Sequence, residues 1–142
     1  MSAALEGHDA FVQELLRGRA NPNVQDADGF TALMMAADKG YKACVQALLR
    51  AEANPNLQST NGLAAVMSAA LNGHNACVQA LLQAKANTDL QNRKGSTALM
   101  SAALKGHDAC VQELLRAKAN PDVQYTDSGV TALMSAANKG HE

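Results

Sequence analysis

The apolar residues of this chain fall into two kinds of short segment that alternate along its length. From Thr31 to Lys39, Leu33, Met34, Ala36 and Ala37 supply one apolar face, Thr31 is placed to cap the segment and Gly40 to end it, so a short helix is expected. A second helix is expected from about Lys42 to Ala51. Its apolar residues Cys44, Val45, Leu48 and Leu49 recur at i, i+1, i+4 and i+5, while Lys42, Gln46 and Arg50 form an opposite polar row. Asn54-Pro55-Asn56 stops this helix, because the residue before a proline is pushed out of helical geometry. A polar, turn-forming stretch then leads to the next cycle.

The cycle has a fixed length. Gly40, Gly73 and Gly106 are 33 residues apart, as are Cys44, Cys77 and Cys110, and the pairs Leu15-Leu16, Leu48-Leu49, Leu81-Leu82 and Leu114-Leu115 keep the same interval. Gly29, Gly62 and Gly95 also keep step, but the next is Gly129, so one residue has been inserted within Tyr125 to Ser128. That slip falls at an expected loop tip, where an insertion leaves packed helices undisturbed. Helices this short do not persist alone in water, so each pair must draw its stability from its neighbours.

These residues resemble the ankyrin repeat, a 33-residue unit of a turn and two helices carrying Thr-Pro-Leu-His-x-Ala. The chain reads Thr31-Ala32-Leu33-Met34-Met35-Ala36, Thr97-Ala98-Leu99-Met100-Ser101-Ala102 and Thr131-Ala132-Leu133-Met134-Ser135-Ala136, with Gly-His pairs, Leu-Leu pairs and an Ala-Asn-Pro-Asn ending that are similar to the family pattern. The resemblance implies an all-α solenoid of stacked helix-turn-helix units with hairpin-like loops. Three departures stand out. The family's proline and histidine are replaced by Ala and Met in every copy, so the tie between Thr and His is lost and thioether packing is expected instead. The glycine that ends the second helix is Arg19, Glu52, Lys85 or Lys118, although a left-handed residue there costs on the order of 1 kcal/mol with a side chain. Ala64 stands where the other copies have a capping Thr, an omission worth roughly 1 kcal/mol, so the repeat from Ser59 to Gln91 is expected to open most readily.

The expected organisation is one domain over residues 1–142, with a partial repeat at 1–25, full repeats at 26–58, 59–91 and 92–124, and a partial repeat at 125–142. Met1 to Leu5 aligns with Met100 to Leu104, the end of a first helix, and the sequence stops at His141-Glu142 before a final second helix. Without polar capping repeats, the expected reading is a fragment of a longer array, with head-to-tail self-association through the open ends as the alternative.

Composition narrows the function. Hydrophobic residues make up 47% of the chain but aromatics only 3%, so small and linear side chains must do the packing. The formal charge of −1 removes the field that nucleic-acid or membrane-surface binding requires; five basic against three acidic residues within 92–124 leave a modest local +2. No apolar run approaches the roughly 20 residues of a membrane span, the opening Met-Ser-Ala-Ala-Leu-Glu-Gly-His lacks the basic and apolar regions of a signal peptide, and three cysteines agree with a reducing compartment. An intracellular protein, cytoplasmic or nuclear, is expected. The His74-x-x-Cys77 and His107-x-x-Cys110 pairs are weak metal candidates, because they recur with the repeat and a tetrahedral site wants four converging ligands. Phosphate-loop and nucleophile-elbow motifs are absent, and nearly every polar residue has a counterpart 33 positions away. No cofactor, metal or catalysis is expected.

Specificity is then left to exposed positions that vary between repeats. The resemblance implies that loop tips and first helices line a concave face. The candidates for contact with another protein are Asp28, Phe30, Asp38, Lys39, Asn61, Leu63, Leu71, Arg93, Lys94, Ser96, Leu104, Lys105, Tyr125 and Asp127. Tyr125 and Arg93 are of types enriched in binding hot spots. Phe30 and Leu63 either meet a partner or cover neighbouring loops. Besides a protein-binding module, a self-assembling element and a regulatory segment of a larger enzyme stay open.

Overall fold

The computed structural model describes residues 2–142, with side chains from Asp9 onward. Among these residues there are eight helices and no strand: α1 (Ser2–Arg17), α2 (Ala32–Lys39), α3 (Lys42–Arg50), α4 (Ala65–Leu71), α5 (Asn75–Gln83), α6 (Ala98–Lys105), α7 (Asp108–Arg116) and α8 (Ala132–Lys139). They form two layers. In one, α2, α4, α6 and α8 stack in sequence; in the other, α1, α3, α5 and α7 do the same; the hairpins α2–α3, α4–α5 and α6–α7 tie the layers together. The first helices begin at Ala32, Ala65, Ala98 and Ala132, which reproduces the 33-residue step and its single slip.

Each helix end follows from a local cause. Thr31, Thr97 and Thr131 accept through Oγ1 from the N–H of Met34, Met100 and Met134, each at 3.3 Å. Met100 returns the contact, its sulfur accepting from the Thr97 N–H at 3.4 Å, so the thioether takes over part of the lost histidine tie. Ala64 has the same extended backbone, φ −109° and ψ 162°, and no side-chain cap. The second helices close with paired bonds of Schellman type: Glu52 N–H to Leu49 O and Ala53 N–H to Leu48 O, both 3.0 Å, with the same pair at Arg19, Lys85 and Lys118. These four residues lie at φ 62–64°, the left-handed conformation expected there in spite of their side chains.

α1 runs unbroken from Ser2 to Arg17, through Gly7, which stands in the register of Gly40. One expectation is corrected. The Met stripe is core at Met34, Met67 and Met100 but not at Met134, which is exposed together with Leu133 because no further repeat stacks on α8.

Between layers the core is built from Leu33, Val66 and Leu99, the three buried methionines, the cysteines, and alanines that let the first helices approach closely. Polar ladders run alongside it. The Nε2 of His74, His107 and His141 lies 3.0–3.1 Å from the carbonyls of Asp38, Leu71 and Leu104 in the preceding repeat; a carbonyl only accepts, so Nε2 carries the proton. Each imidazole rests on the preceding Gly, where a Cβ on Gly40 would come within 2.6 Å of His74 Nδ1. These glycines therefore serve twice, at positive φ and beneath a ring. Asn23, Asn56 and Asp89 accept the backbone N–H of Asn54, Asn87 and Asn120 in the next repeat at 2.7–2.8 Å.

Candidate partner-binding surface

The loops that carry the candidate residues are rigid hairpins. Asp26 N–H bonds Phe30 O, Ser59 bonds Leu63, Asn92 bonds Ser96 and Tyr125 bonds Val130, all at 2.9–3.0 Å. A carboxylate, hydroxyl or amide oxygen pins each turn: Asp26 Oδ1 accepts from Asp28 and Phe30 N–H, Asn92 Oδ1 from Lys94 and Ser96 N–H, and Ser59 Oγ from Leu63 N–H. Neighbouring loops are joined tip to tip, since Thr60, Arg93 and Thr126 donate their N–H to the carbonyls of Asp28, Asn61 and Lys94 at 2.9–3.2 Å. Gln25 and Gln58 each donate to the glycine carbonyl of their own loop and to Gln58 O or Gln91 O one repeat on. Gln91 and Gln124 keep only the bond within their own loop, so this ladder stops at the junction before the inserted residue.

On that frame the candidates separate into three groups. Asp28, Asn61, Arg93, Lys94 and Asp127 at the tips, and Lys39 and Lys105 at helix ends, are exposed. Their side chains make no hydrogen bond or ion pair with the described chain, while the backbones of Asp28, Asn61 and Lys94 are fixed by the next loop. Leu71 is exposed as well. Phe30, Leu63 and Tyr125 are half-buried against the core, so they chiefly cover it and offer only an edge, and Leu104 is half-buried too. Asp38 is exposed but partly committed: its carboxylate and carbonyl accept from Asn72 Nδ2, and its carbonyl also from His74.

Ser96 does not belong on the surface. It is buried, with its hydroxyl near Thr97 O, Ser101 Oγ and the Tyr125 hydroxyl at 3.4–3.5 Å. The aromatic ring at 125, where the other loops have Asp26, Ser59 and Asn92, closes over it. Met35 on α2 is exposed too, an apolar side chain in the same first-helix layer as Leu71.

The residues with chemical potential are turned to structure. Cys44, Cys77 and Cys110 are free and buried. Burial pushes the Cys44 thiol up to about 12, helped by its bond to Asp9, whose Oδ1 accepts the S–H at 2.7 Å, and by that carboxylate's charge. The thiols of Cys77 and Cys110 are raised for the same first reason, burial. Among the described residues no three His, Cys, Asp or Glu side chains converge as a metal site requires, and no helix is long and apolar enough to cross a membrane. Shallow clefts between adjacent second helices, such as that lined by Gln46, Leu49, Arg50 and Gln83, recur from repeat to repeat and bring no unique set of groups together.

The ladders of Gln, Asn and Gly-His were readable as 33-residue recurrences, but recurrence alone does not say which backbone group each one meets. No curated protein matches the chain. The family model for ankyrin repeats, written as three copies, matches residues 1–92 and again 66–142. With stacked helix pairs, a 33-residue step and a match over its whole length, the chain belongs to the ankyrin-repeat family.

Proposed function

We propose that this chain binds a protein partner along the row of loop tips and first helices, with Asp28, Asn61, Arg93, Lys94 and Asp127 as the central contacts and Lys39, Leu71 and Lys105 beside them. Ankyrin repeats are generally protein-protein interaction modules, and their domains are typically non-catalytic. The observation that carries the reading is the contrast within each loop: the backbone is fixed to its neighbours while the varying side chains reach solvent without an internal partner. A loop backbone already fixed to its neighbours loses little freedom on binding, which favours specific recognition. Charge runs along the row from Asp26 and Asp28 to Arg93 and Lys94 and back to Asp127, so the matching partner surface is basic, then acidic, then basic.

The test is site-specific photo-cross-linking in cells. A photoreactive residue at Asn61 or Lys94 is expected to trap one partner that the same group at Gln79 or Gln112, exposed on the second helices, does not trap. In parallel, R93E/K94E is expected to abolish the trapping while the circular dichroism spectrum stays unchanged. Equal trapping from both faces, or trapping that survives the charge reversal, would refute the assignment.

A further inference from the structure

Half of the chain's lysines and arginines are gathered on one edge of the stack. The last turns of the second helices and the left-handed positions just beyond them carry Arg17, Arg19, Arg50, Lys85, Arg116 and Lys118, six of the twelve basic residues, against one of the thirteen acidic ones, Glu52. All six are exposed. Because α1, α3, α5 and α7 stack in sequence, their ends line up as two adjacent rows with one step per repeat. Three shallow clefts of about 390, 320 and 390 Å³ open between neighbouring helices along these rows. Arg17 and Arg50 flank the first, Arg50 and Gln83 the second, Gln83 and Arg116 the third, with a leucine and alanines in each lining.

Compensation of the helix dipole accounts for Arg17, Arg50 and Arg116, which are cations in last turns. It does not account for the residues two positions further on. Arg19, Lys85 and Lys118 lie at φ 62–64°, where glycine avoids the clash of a Cβ, and their side chains make no ion pair among the described residues. Backbone strain held where the side chain meets nothing inside the fold points to what that side chain meets outside it.

We propose that this edge is a second interaction surface, separate from the row of loop tips, and that it binds an acidic, unfolded segment of another protein in the polyproline II conformation. Charge selects an acidic occupant, and spacing selects its conformation. Packed helices stand about 8–10 Å apart, and a polyproline II chain, with three residues per turn and a rise of about 3.1 Å, shows the same face about every 9 Å. A β-strand returns the same face every second residue, after about 6.6 Å, and falls out of step with the clefts. Carboxylates at every third residue therefore meet successive clefts, where a guanidinium donates paired N–H bonds to them and Lys85 and Lys118 add charge. Arg17 and Arg116 pair with Glu14 and Glu113 one turn back, but such exposed pairs are weak and yield to an arriving carboxylate. No aromatic side chain lines the clefts, so the edge lacks the stacking platform of a single-stranded nucleic-acid site.

The probe is a fluorescent peptide of about twelve residues, Glu-Pro-Ala repeated, titrated with the whole chain at low salt and read by anisotropy. The wild type is expected to bind it, and to bind a peptide of the same composition with its glutamates consecutive about fivefold more weakly. The variant Arg19→Gly/Lys85→Gly/Lys118→Gly loses three cations and is expected to bind about tenfold more weakly, while its urea midpoint rises as the backbone strain is relieved. A purely structural role cannot move affinity and stability in opposite directions. Glu52→Gly removes the one anion of the rows and is expected to tighten binding about twofold. R93E/K94E at the loop tips is expected to leave the peptide affinity unchanged, so this proposal and the loop-tip assignment fail separately. No binding by the wild type, an unchanged affinity in the triple glycine variant, or a fall of both its affinity and its midpoint would overturn the proposal. So would equal binding of the consecutive-glutamate peptide, or tighter binding of an oligothymidylate or of phosphatidylserine vesicles, which would assign the edge to a nucleic acid or a membrane.

Discussion

The four left-handed residues that end the second helices hold a stability reserve that glycine should release. Arg19, Glu52, Lys85 and Lys118 sit at φ 62–64° with exposed side chains that make no hydrogen bond or ion pair, so replacing them changes little besides the backbone preference. An L-residue in this conformation costs about 1–2 kcal/mol through the clash of its Cβ with the following carbonyl. Glycine removes that clash but gives back about 0.5–1 kcal/mol through the greater freedom of its unfolded chain. The net gain is about 0.5–1 kcal/mol per site, or about 2–4 kcal/mol for four sites acting independently. With a urea dependence of about 2 kcal/mol/M, the quadruple glycine variant should shift the unfolding midpoint upward by about 1–2 M. The matched alanine variants keep the Cβ and should move it little. Urea titration followed by circular dichroism reads both series. Alanine variants that gain as much as the glycine ones, or glycine variants that lose stability, would show that the left-handed residues are not strained and refute the reasoning.

Three further outcomes are expected. Ala64→Ser restores an oxygen where the backbone already has cap geometry, so it should stabilise by about 1 kcal/mol, seen as a rise in Tm of roughly 3 °C; no rise would mean that the buried site cannot seat the hydroxyl. Hydrogen exchange should be slowest in α4, which is covered by α2 and α6 and has six of its seven residues buried, and fastest in α1 and α8; the lost cap of about 1 kcal/mol is smaller than a second neighbouring interface, so the repeat from Ser59 to Gln91 should not open first. The fold holds the Cys44 proton up to about 12 against 9.0 for the free thiol, so the unfolded chain releases it at lower pH. Stability from this group is present below pH 9 and is lost as pH climbs toward 12. Urea midpoints at about pH 8 and about pH 10 should therefore fall less in Cys44→Ala than in the wild type, and an equal fall would remove the thiol from the account.

Periodicity made the fold legible because a buried position must be apolar in every copy, and so the 33-residue step, the helix pairs and even the left-handed residues at Arg19, Glu52, Lys85 and Lys118 could be placed from residue type alone. The departures arose where the answer depends on a neighbour. Ser96 looks exposed by register, but Tyr125 one loop away covers it. Asp38 looks free, but Asn72 and His74 of the next repeat reach back to it. Met134 follows the core register to the letter and is exposed because nothing stacks on α8. A capping omission at Ala64 was visible in the sequence, whereas the burial of six of the seven α4 residues depends on how closely the two flanking repeats approach.

In such an array a residue that breaks the period acts according to where it lies. Ala64 breaks it inside the stack, where its effect is confined to stability because no partner can reach a fully buried side chain. Arg93 and Lys94 break it at a loop tip, where their side chains reach solvent and make no hydrogen bond or ion pair among the described residues. Phe11 breaks it at the end of the stack, in a register that the other repeats fill with a small buried cysteine. Its exposure shows that a register position is core only where a neighbouring repeat covers it, so one period gives burial inside the stack and solvent contact at its edge.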